Sequence, residues 1–466
     1  MITKFIKRIL RRDPMSPKLH ENKIGAPKRV LKKSHRIDPH LLSKNAVKVT
    51  DTLQQAGFDA FIVGGAVRDL ALGIKPKDFD VATNATPDQV QKLFRKARLI
   101  GRRFQIVHVT FFGKGQPEII EVSTFRALLE NAGEHLADNG RILRDNVWGT
   151  QHEDAARRDF TINAMYYDPS SETVLDYHGG MVDMQKKVLR MIGDPAKRYR
   201  EDPIRMLRAI RFAAKTGFNL DNATNAPIGD LGKLIHDVPS ARLFDEMLKL
   251  LMSGYSWAAI QGLRNANLHQ GVLPLLDQIF TQETQGQEAH NFVRLALANT
   301  DQRIQSGKSI SAGFLFATLL WPDLLQNWKN NINKGMANIT ALQDAMDQTI
   351  ATQSSGLVIQ RRFESDMREI WSMQPRFERR VGRYPYRLIE SPRFRAAYDF
   401  LLLRCAAGEK KQELGDWWTS FIESDPAGQE DLMALAKNEA GNLSAPSKRR
   451  HRRKPKSPTP IEGASS

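Results

Sequence analysis

Two aspartates separated by a single residue stand in Lys77-Asp78-Phe79-Asp80-Val81-Ala82-Thr83. The apolar and β-branched residues around them read as a short strand. Its two-residue period turns Asp78 and Asp80 to one face and Phe79 to the other. Neighbouring carboxylates repel, so the pair is unfavourable unless a cation bridges it. A pair of Mg²⁺ ions would remove the repulsion and supply phosphoryl-transfer chemistry, one activating an attacking hydroxyl and the other stabilising a pyrophosphate leaving group. Alone, an Asp-x-Asp is more often two solvated acids on an edge strand, so the surrounding residues have to decide.

Upstream, Phe61-Ile62-Val63 runs into Gly64-Gly65-Ala66-Val67-Arg68-Asp69. Glycines at the end of a strand permit positive φ and close backbone approach to phosphate oxygens, and the helix expected from Val67 presents free N–H groups. Arg68 could add a charged fork to the same phosphates. Downstream lie two candidates for a third carboxylate. Glu121, in Glu118-Ile119-Ile120-Glu121-Val122-Ser123, belongs to another strand-like run. Asp159 sits in Arg157-Arg158-Asp159-Phe160-Thr161-Ile162-Asn163, where the arginines could grip a triphosphate while the acid orients Arg158 or assists at the metals. Spacing does not choose between them. Further on, Asp202, Arg205 and Arg208 fall at i, i+3 and i+6 of an expected helix, with Ile204, Leu207 and Ile210 turned to the core. An acid holding an arginine fixed presents acceptor and donor edges together, as reading a nucleobase edge requires. The plain alternative is an exposed helix face with ion pairs.

The elements that must position these residues change character along the chain. Asp38-Pro39 reads as a helix start, with apolar residues at helical spacing to Gln55. Strands are expected at Phe61–Val63, Phe79–Ala82, Ile106–Phe112 and Ile119–Ser123. Thr86-Pro87-Asp88-Gln89 is a capping box opening a helix whose apolar face is Val90, Leu93, Phe94 and Ala97. Beyond Tyr177-His178-Gly179-Gly180 the spacing turns helical, notably over 203–215, 241–252, 312–325 and 392–407. The expected fold class is α+β: a small head with a mixed sheet, then an all-helical remainder. His236-Asp237 lacks companions for a metal site and reads as structural.

The net charge of +17 is concentrated at the ends. Residues 1–36 carry 12 Lys/Arg against 2 acids and residues 447–466 carry 7 against 1, leaving the chain between them near neutral. Such segments cannot bury enough apolar surface to fold and add salt-sensitive attraction to polyanions, although solvation or a membrane surface would also suit them. The single cysteine, Cys405, lies in an apolar run and reads as core, which excludes an internal disulfide framework and suits a reducing compartment. With no long apolar stretch at the amino terminus, a cytoplasmic protein without a membrane-spanning segment is expected.

The four segments around Gly64-Gly65, Asp78-Phe79-Asp80, Arg157-Arg158-Asp159 and Glu201-Asp202-Pro203-Ile204-Arg205, in this order, resemble the class II nucleotidyltransferases, which comprise bacterial poly(A) polymerases and CCA-adding enzymes. The resemblance covers about residues 40–260 and implies a polymerase-β-like head followed by helical neck, body and tail. By motif position it implies that Asp78 and Asp80 bind two Mg²⁺ ions and that Gly65, Arg68 and Arg158 contact the triphosphate, with Gly64 also among the nucleotide-binding residues. Asp202, Arg205 and Arg208 would form the nucleotide pocket, and Asp159 rather than Glu121 would be the third active-site acid. The expected division is a disordered leader at 1–36, a head at 37–180, a neck at 181–255, a body at 256–440 and a disordered tail at 441–466.

Three features favour the poly(A) polymerase branch: the basic segment Gly101 to Val109, the terminal cluster Lys448, Arg449, Arg450, Arg452, Arg453 and Lys454 as an RNA-binding element, and 11 arginines between Arg361 and Arg404. Six acids in that last span also fit a helical core with a charged exterior. The segment Ala127 to Arg144 differs among relatives where incoming nucleotide would be touched. The expected activity is template-independent addition of AMP from ATP to RNA 3′ ends by a monomer, with RNA-decay proteins as further candidate partners. CCA addition to tRNA is the rival, and a non-catalytic RNA-binding protein on the same scaffold is a second.

Overall fold

The computed structural model describes residues 25–101, 105–113, 116–128, 148–269 and 288–443. The chain divides into two compact units, Met1–Leu273 and Pro274–Ser466.

In the first unit the described residues build one eight-stranded sheet from β1 (Lys28–Leu31), β2 (Ala60–Val63), β3 (Phe79–Thr83), β4 (Ala97–Ile100), β5 (Ile106–Phe111), β6 (Glu118–Thr124), β7 (Met165–Asp168) and β8 (Thr173–Asp176). The spatial order is β1-β8-β7-β2-β3-β6-β5-β4. Every neighbouring pair is antiparallel except β3 and β6, which run parallel and set Asp80 opposite Glu121. Helix α1 (Lys44–Gln55) packs against the sheet through Ala46, Val49 and Leu53. The short helices α2 (Gly65–Ala71) and α3 (Pro87–Leu93) follow β2 and β3 directly. Next come α4 (Gln151–Ala156), α5 (Pro195–Glu201), α6 (Ile204–Thr216) and α7 (Ser240–Leu251).

Several expectations change at this level. The disordered leader is too long as drawn, because residues 28–31 pair with β8 and His35 is buried against that hairpin, its Nε2 2.9 Å from the Glu172 carbonyl. Asp38 caps only a 3₁₀ turn, Pro39–Leu41, and the true helix starts after Ser43, whose hydroxyl accepts from Asn45 and Ala46 N–H. The Thr86/Gln89 capping box is present, but its helix stops at Leu93, and Ala97 opens a strand that the helical spacing concealed. Strands β1, β7 and β8 were also not anticipated. Asp78 lies in the bend just before β3. Asp202 is outside the helix expected to carry it, in extended backbone between α5 and α6.

The second unit is helical throughout its described residues. The helix expected over 312–325 is two, α8 (Ala312–Leu319) and α9 (Trp321–Asn333), because Pro322 has no N–H to continue the first ladder and starts the second instead. With α10 (Asn338–Ser354), α11 (Arg361–Met373), α12 (Phe394–Ala406) and α13 (Gln412–Glu423), they enclose an aromatic core that includes Trp321, Trp371, Phe377 and Trp418. Cys405 is buried in it. No helix among the described residues is long and apolar enough to cross a membrane. The basic cluster 448–454 and most of the segment 127–144 lie outside the described residues.

Candidate active site

Gly64 ends β2 with φ of +71°, a conformation that side chains resist. A Cβ built there would crowd Arg158 Nη1 at 3.3 Å and merely touch Asp80 Oδ2 at 3.9 Å, so the positive φ is the stronger demand for glycine, and both groups stand close to the turn. This turn, Asp80 and the arginine-bearing segments line one cleft of about 520 Å³ within the first unit.

At one end, Phe79 is buried while Asp78 and Asp80 are exposed. Crowding by surrounding protein, then the charge of Glu121 and of Asp78, pushes the Asp80 carboxyl up to about 6, with Arg158 opposing. Although the residue keeps an exposed surface, its carboxylate is therefore short of compensating positive charge. Glu121 stands across the β3/β6 register from Asp80 and within 3.4 Å of His108 Nε2. Asp159 is placed otherwise. It is buried, its Oδ1 accepts from Phe160 N at 2.8 Å, and its Oδ2 accepts from Arg208 Nε at 2.7 Å. Burial would raise its pKa, but Arg208 and these hydrogen bonds hold it down at about 2. Asp159 thus has both oxygens engaged and lines the same cleft as Asp80, whereas Glu121 stands beside Asp80 in the sheet.

The wall itself is a set of fixed arginines. Arg158 is oriented by Asp154 rather than by Asp159: Asp154 accepts from Arg158 Nη2 at 3.0 Å, Arg157 Nε at 3.0 Å and Tyr166 hydroxyl at 2.6 Å. Burial opposes ionisation of Asp154, yet the two arginines and the hydroxyl hold it well below the usual carboxylate range. Arg68 is buried and donates to Asp69 Oδ1 and to Asn163 Oδ1. Arg205 pairs with Glu201 at 2.9 Å and donates to the Arg198 carbonyl at 2.7 Å. Asp202 holds neither Arg205 nor Arg208. It accepts from Arg242 on α7 at 2.9 Å through Oδ2, while its Oδ1 is buried without a hydrogen-bond partner among the described residues.

Gly64, Gly65, Arg68, Asp80, Arg158, Asp159, Asp202, Arg205 and Arg208 thus line one cleft, with Asp78 and Glu121 beside Asp80. Asp154, Arg242 and Glu246 were missed. Asp154 sits four residues before Arg158 on α4, a spacing that could have disclosed it. Arg242 and Glu246 stand 40 and 35 residues from the partners Asp202 and Arg211, and nothing local announces them. Among the described residues no three His, Cys, Asp or Glu side chains are gathered closely enough to hold a metal unaided.

Three family profiles match the chain in order: the poly A polymerase head domain over residues 60–190, the probable RNA and SrmB-binding site of polymerase A over 217–280, and the polymerase A arginine-rich C-terminus over 334–456. Poly(A) polymerase I of Salmonella typhimurium is 42% identical over 98% of this chain and 98% of its own. The chain belongs to the poly(A) polymerase family. A CCA-adding enzyme of Bacillus pumilus, on the other branch, is 37% identical over 52% of this chain and 57% of its own length. The poly(A) polymerase likeness thus covers nearly the whole chain, and the CCA-adding sequence likeness about half of it. Among solved structures, the Bacillus stearothermophilus CCA-adding enzyme in complex with CTP superposes with a TM-score of 0.53 at 22% identity, covering 87% of this chain and 94% of that one, and this marks a shared fold.

Proposed function

We propose that this protein transfers AMP from ATP to the 3′-hydroxyl of RNA, repeatedly and without a template, releasing pyrophosphate. The observation that carries the reading is a single cleft with an under-neutralised aspartate at one end and a wall of pre-fixed arginines along it. It occurs in a chain whose likeness to poly(A) polymerase I is end to end.

Asp78 and Asp80 offer hard oxygen donors of the number Mg²⁺ takes from protein when substrate phosphates complete its shell, and the raised Asp80 pKa reflects a carboxylate that a cation would relieve. When bound, Mg²⁺ would activate the RNA hydroxyl and offset charge on the transferring phosphate. Glu121 adds negative charge on that side and helps hold the donor set. Gly64 and Gly65 let the triphosphate approach the backbone, while Arg68, Arg158 and Arg208 neutralise its oxygens without needing to reorganise, since each is already held by a carboxylate. Asp202 lines the cleft with one oxygen, Oδ1, buried and unpartnered, and a small turn of this carboxylate would let it accept from the exocyclic amino group of adenine, with Arg205 and Arg242 lining the same cleft.

Extension of labelled RNA with each nucleotide supplied separately tests the reading. A long ladder from ATP alone supports it. Addition halting after C, C and A on tRNA-like ends would assign the rival activity instead, and salt-sensitive RNA binding without pyrophosphate release would leave a non-catalytic binder.

A further inference from the structure

Phe212 has surroundings that no role assigned above explains. It lies on α6, only 6% exposed, yet it borders the cleft. Three guanidinium groups lie over its ring, with centroid distances of 4.3 Å for Arg211, 5.0 Å for Arg68 and 5.2 Å for Arg208. The Phe160 ring adds an edge-on contact at 5.7 Å. Energetically significant cation–π contacts occur roughly once per 70–80 residues, so three on one ring is a concentration that calls for a cause.

Each of the three cations is also held by a carboxylate: Arg68 by Asp69, Arg208 by Asp159 and Arg211 by Glu246. An arginine so bound has donors directed to the acid while its guanidinium carbon lies over the ring, and the two contacts together restrict its rotation. Three like charges around one point would otherwise repel. The paired carboxylates and the negative faces of the ring together offset that repulsion at the wall of the cleft.

We propose that Phe212 is a positioning residue for the nucleotide, whose π faces fix Arg68 and Arg208 in the orientation that receives the triphosphate. The inference rests on the reading that this cleft binds ATP. A space-filling phenylalanine would serve the core equally well with any ring of the same shape, whereas a positioning ring depends on its electron density.

Mono-, di- and trifluorinated phenylalanine placed at position 212 of the full chain change the second property while nearly preserving the first. The Kd for ATP, measured by equilibrium dialysis with Mg²⁺ present, should rise steadily with fluorine number, reaching roughly 5- to 30-fold at three fluorines. The KM for ATP should follow while kcat changes less than about twofold, as expected for loss of ground-state nucleotide binding. Phe212→Tyr should stay close to the parent and Phe212→Leu should weaken ATP at least as much as trifluorination. A Kd that does not vary with fluorination, or one that rises only where the melting temperature falls in step, overturns the proposal. Because Kd needs no turnover, the two readings separate: tail synthesis with a flat fluorine series refutes only the positioning role, and a graded series without tail synthesis refutes only the activity.

Discussion

The arginines of the cleft and one exposed set in the second unit are treated in opposite ways, although Arg368, Arg393, Arg395 and Arg404 of that unit do pair with carboxylates. Along the cleft, Arg68, Arg157, Arg158, Arg205, Arg208 and Arg242 are each paired with a carboxylate. In the second unit, Arg376, Arg379, Arg383 and Arg387 are exposed and have no carboxylate partner among the described residues, the nearest arrangement being Arg379 over the Tyr384 ring at 4.6 Å. A paired arginine has already lost its side-chain freedom, so a ligand of matching geometry binds without that entropic cost. An unpaired one attracts any polyanion, weakly, and salt screens it. The first arrangement suits recognition of one defined anion, and the second suits capture of a polyanion whose sequence does not matter.

The contrast is broken most severely at the acidic end of the cleft. Asp80→Asn should lower pyrophosphate release by at least about 1,000-fold, since metal-assisted charge stabilisation contributes several kcal/mol to such a step. Its melting temperature should hold or rise, because the substitution removes a carboxylate that the fold leaves under-neutralised. A variant retaining a tenth of the activity would refute the assignment.

Next in size is a stability effect. Asp159→Ala would strand Arg208 in a mostly buried position and should cost about 3 kcal/mol in denaturant unfolding, whereas Glu121→Gln should leave stability within about 0.5 kcal/mol and reduce turnover. If Asp159→Ala instead unfolded like the parent while losing all turnover, Asp159 would belong with the aspartate pair after all.

The Asp80 carboxyl predicts a smaller, graded dependence on pH. Its pKa is raised in the fold to about 6, so the proton is held more tightly in the folded than in the unfolded chain, and ionisation disfavours the metal-free fold as pH rises through that value. A cation competes with the same proton. The acid limb of kcat/KM should therefore fall near pH 6 at low Mg²⁺ and move to lower pH as Mg²⁺ increases; a limb indifferent to Mg²⁺ would count against the site. Asp159 has the opposite sign. Its stabilising contribution is complete above the usual carboxylate range and disappears only as pH falls towards about 2.

Smallest of all, changing Arg376, Arg379, Arg383 and Arg387 together to Gln should weaken RNA binding a few-fold at low salt and reduce the slope of log K against log salt by up to about 3, at about 0.7 for each phosphate of a single strand that is no longer neutralised. ATP affinity should not change. An unaltered slope would mean that these cations do not meet RNA.

What the sequence disclosed about this site follows the range of the interactions concerned. Gly64-Gly65, Asp78-Phe79-Asp80 and Arg157-Arg158 are local patterns whose chemistry is carried by spacing of a few residues, and they line or adjoin the cleft as read. The pairings were not legible. Asp159 meets Arg208 across 49 positions and Asp202 meets Arg242 across 40, so no helical or strand period connects them. In the same way a helical spacing that continued past Leu93 hid the strand Ala97–Ile100, and the basic composition of the first 36 residues hid the pairing of Lys28–Leu31 with β8.

That last strand bears on how the protein can be shortened. With Lys28–Leu31 present, the outer rim of the sheet is a four-residue strand rich in lysine and arginine, a form that discourages edge-to-edge association between molecules. Trimming the basic leader at residue 37 would strip it away and bare Thr173–Asp176, whose residues are all buried in the intact chain. The shortened protein would present an apolar edge with unpaired N–H and C=O groups. Its failure would be seen first as aggregation, in a molecule whose cleft residues had not been touched.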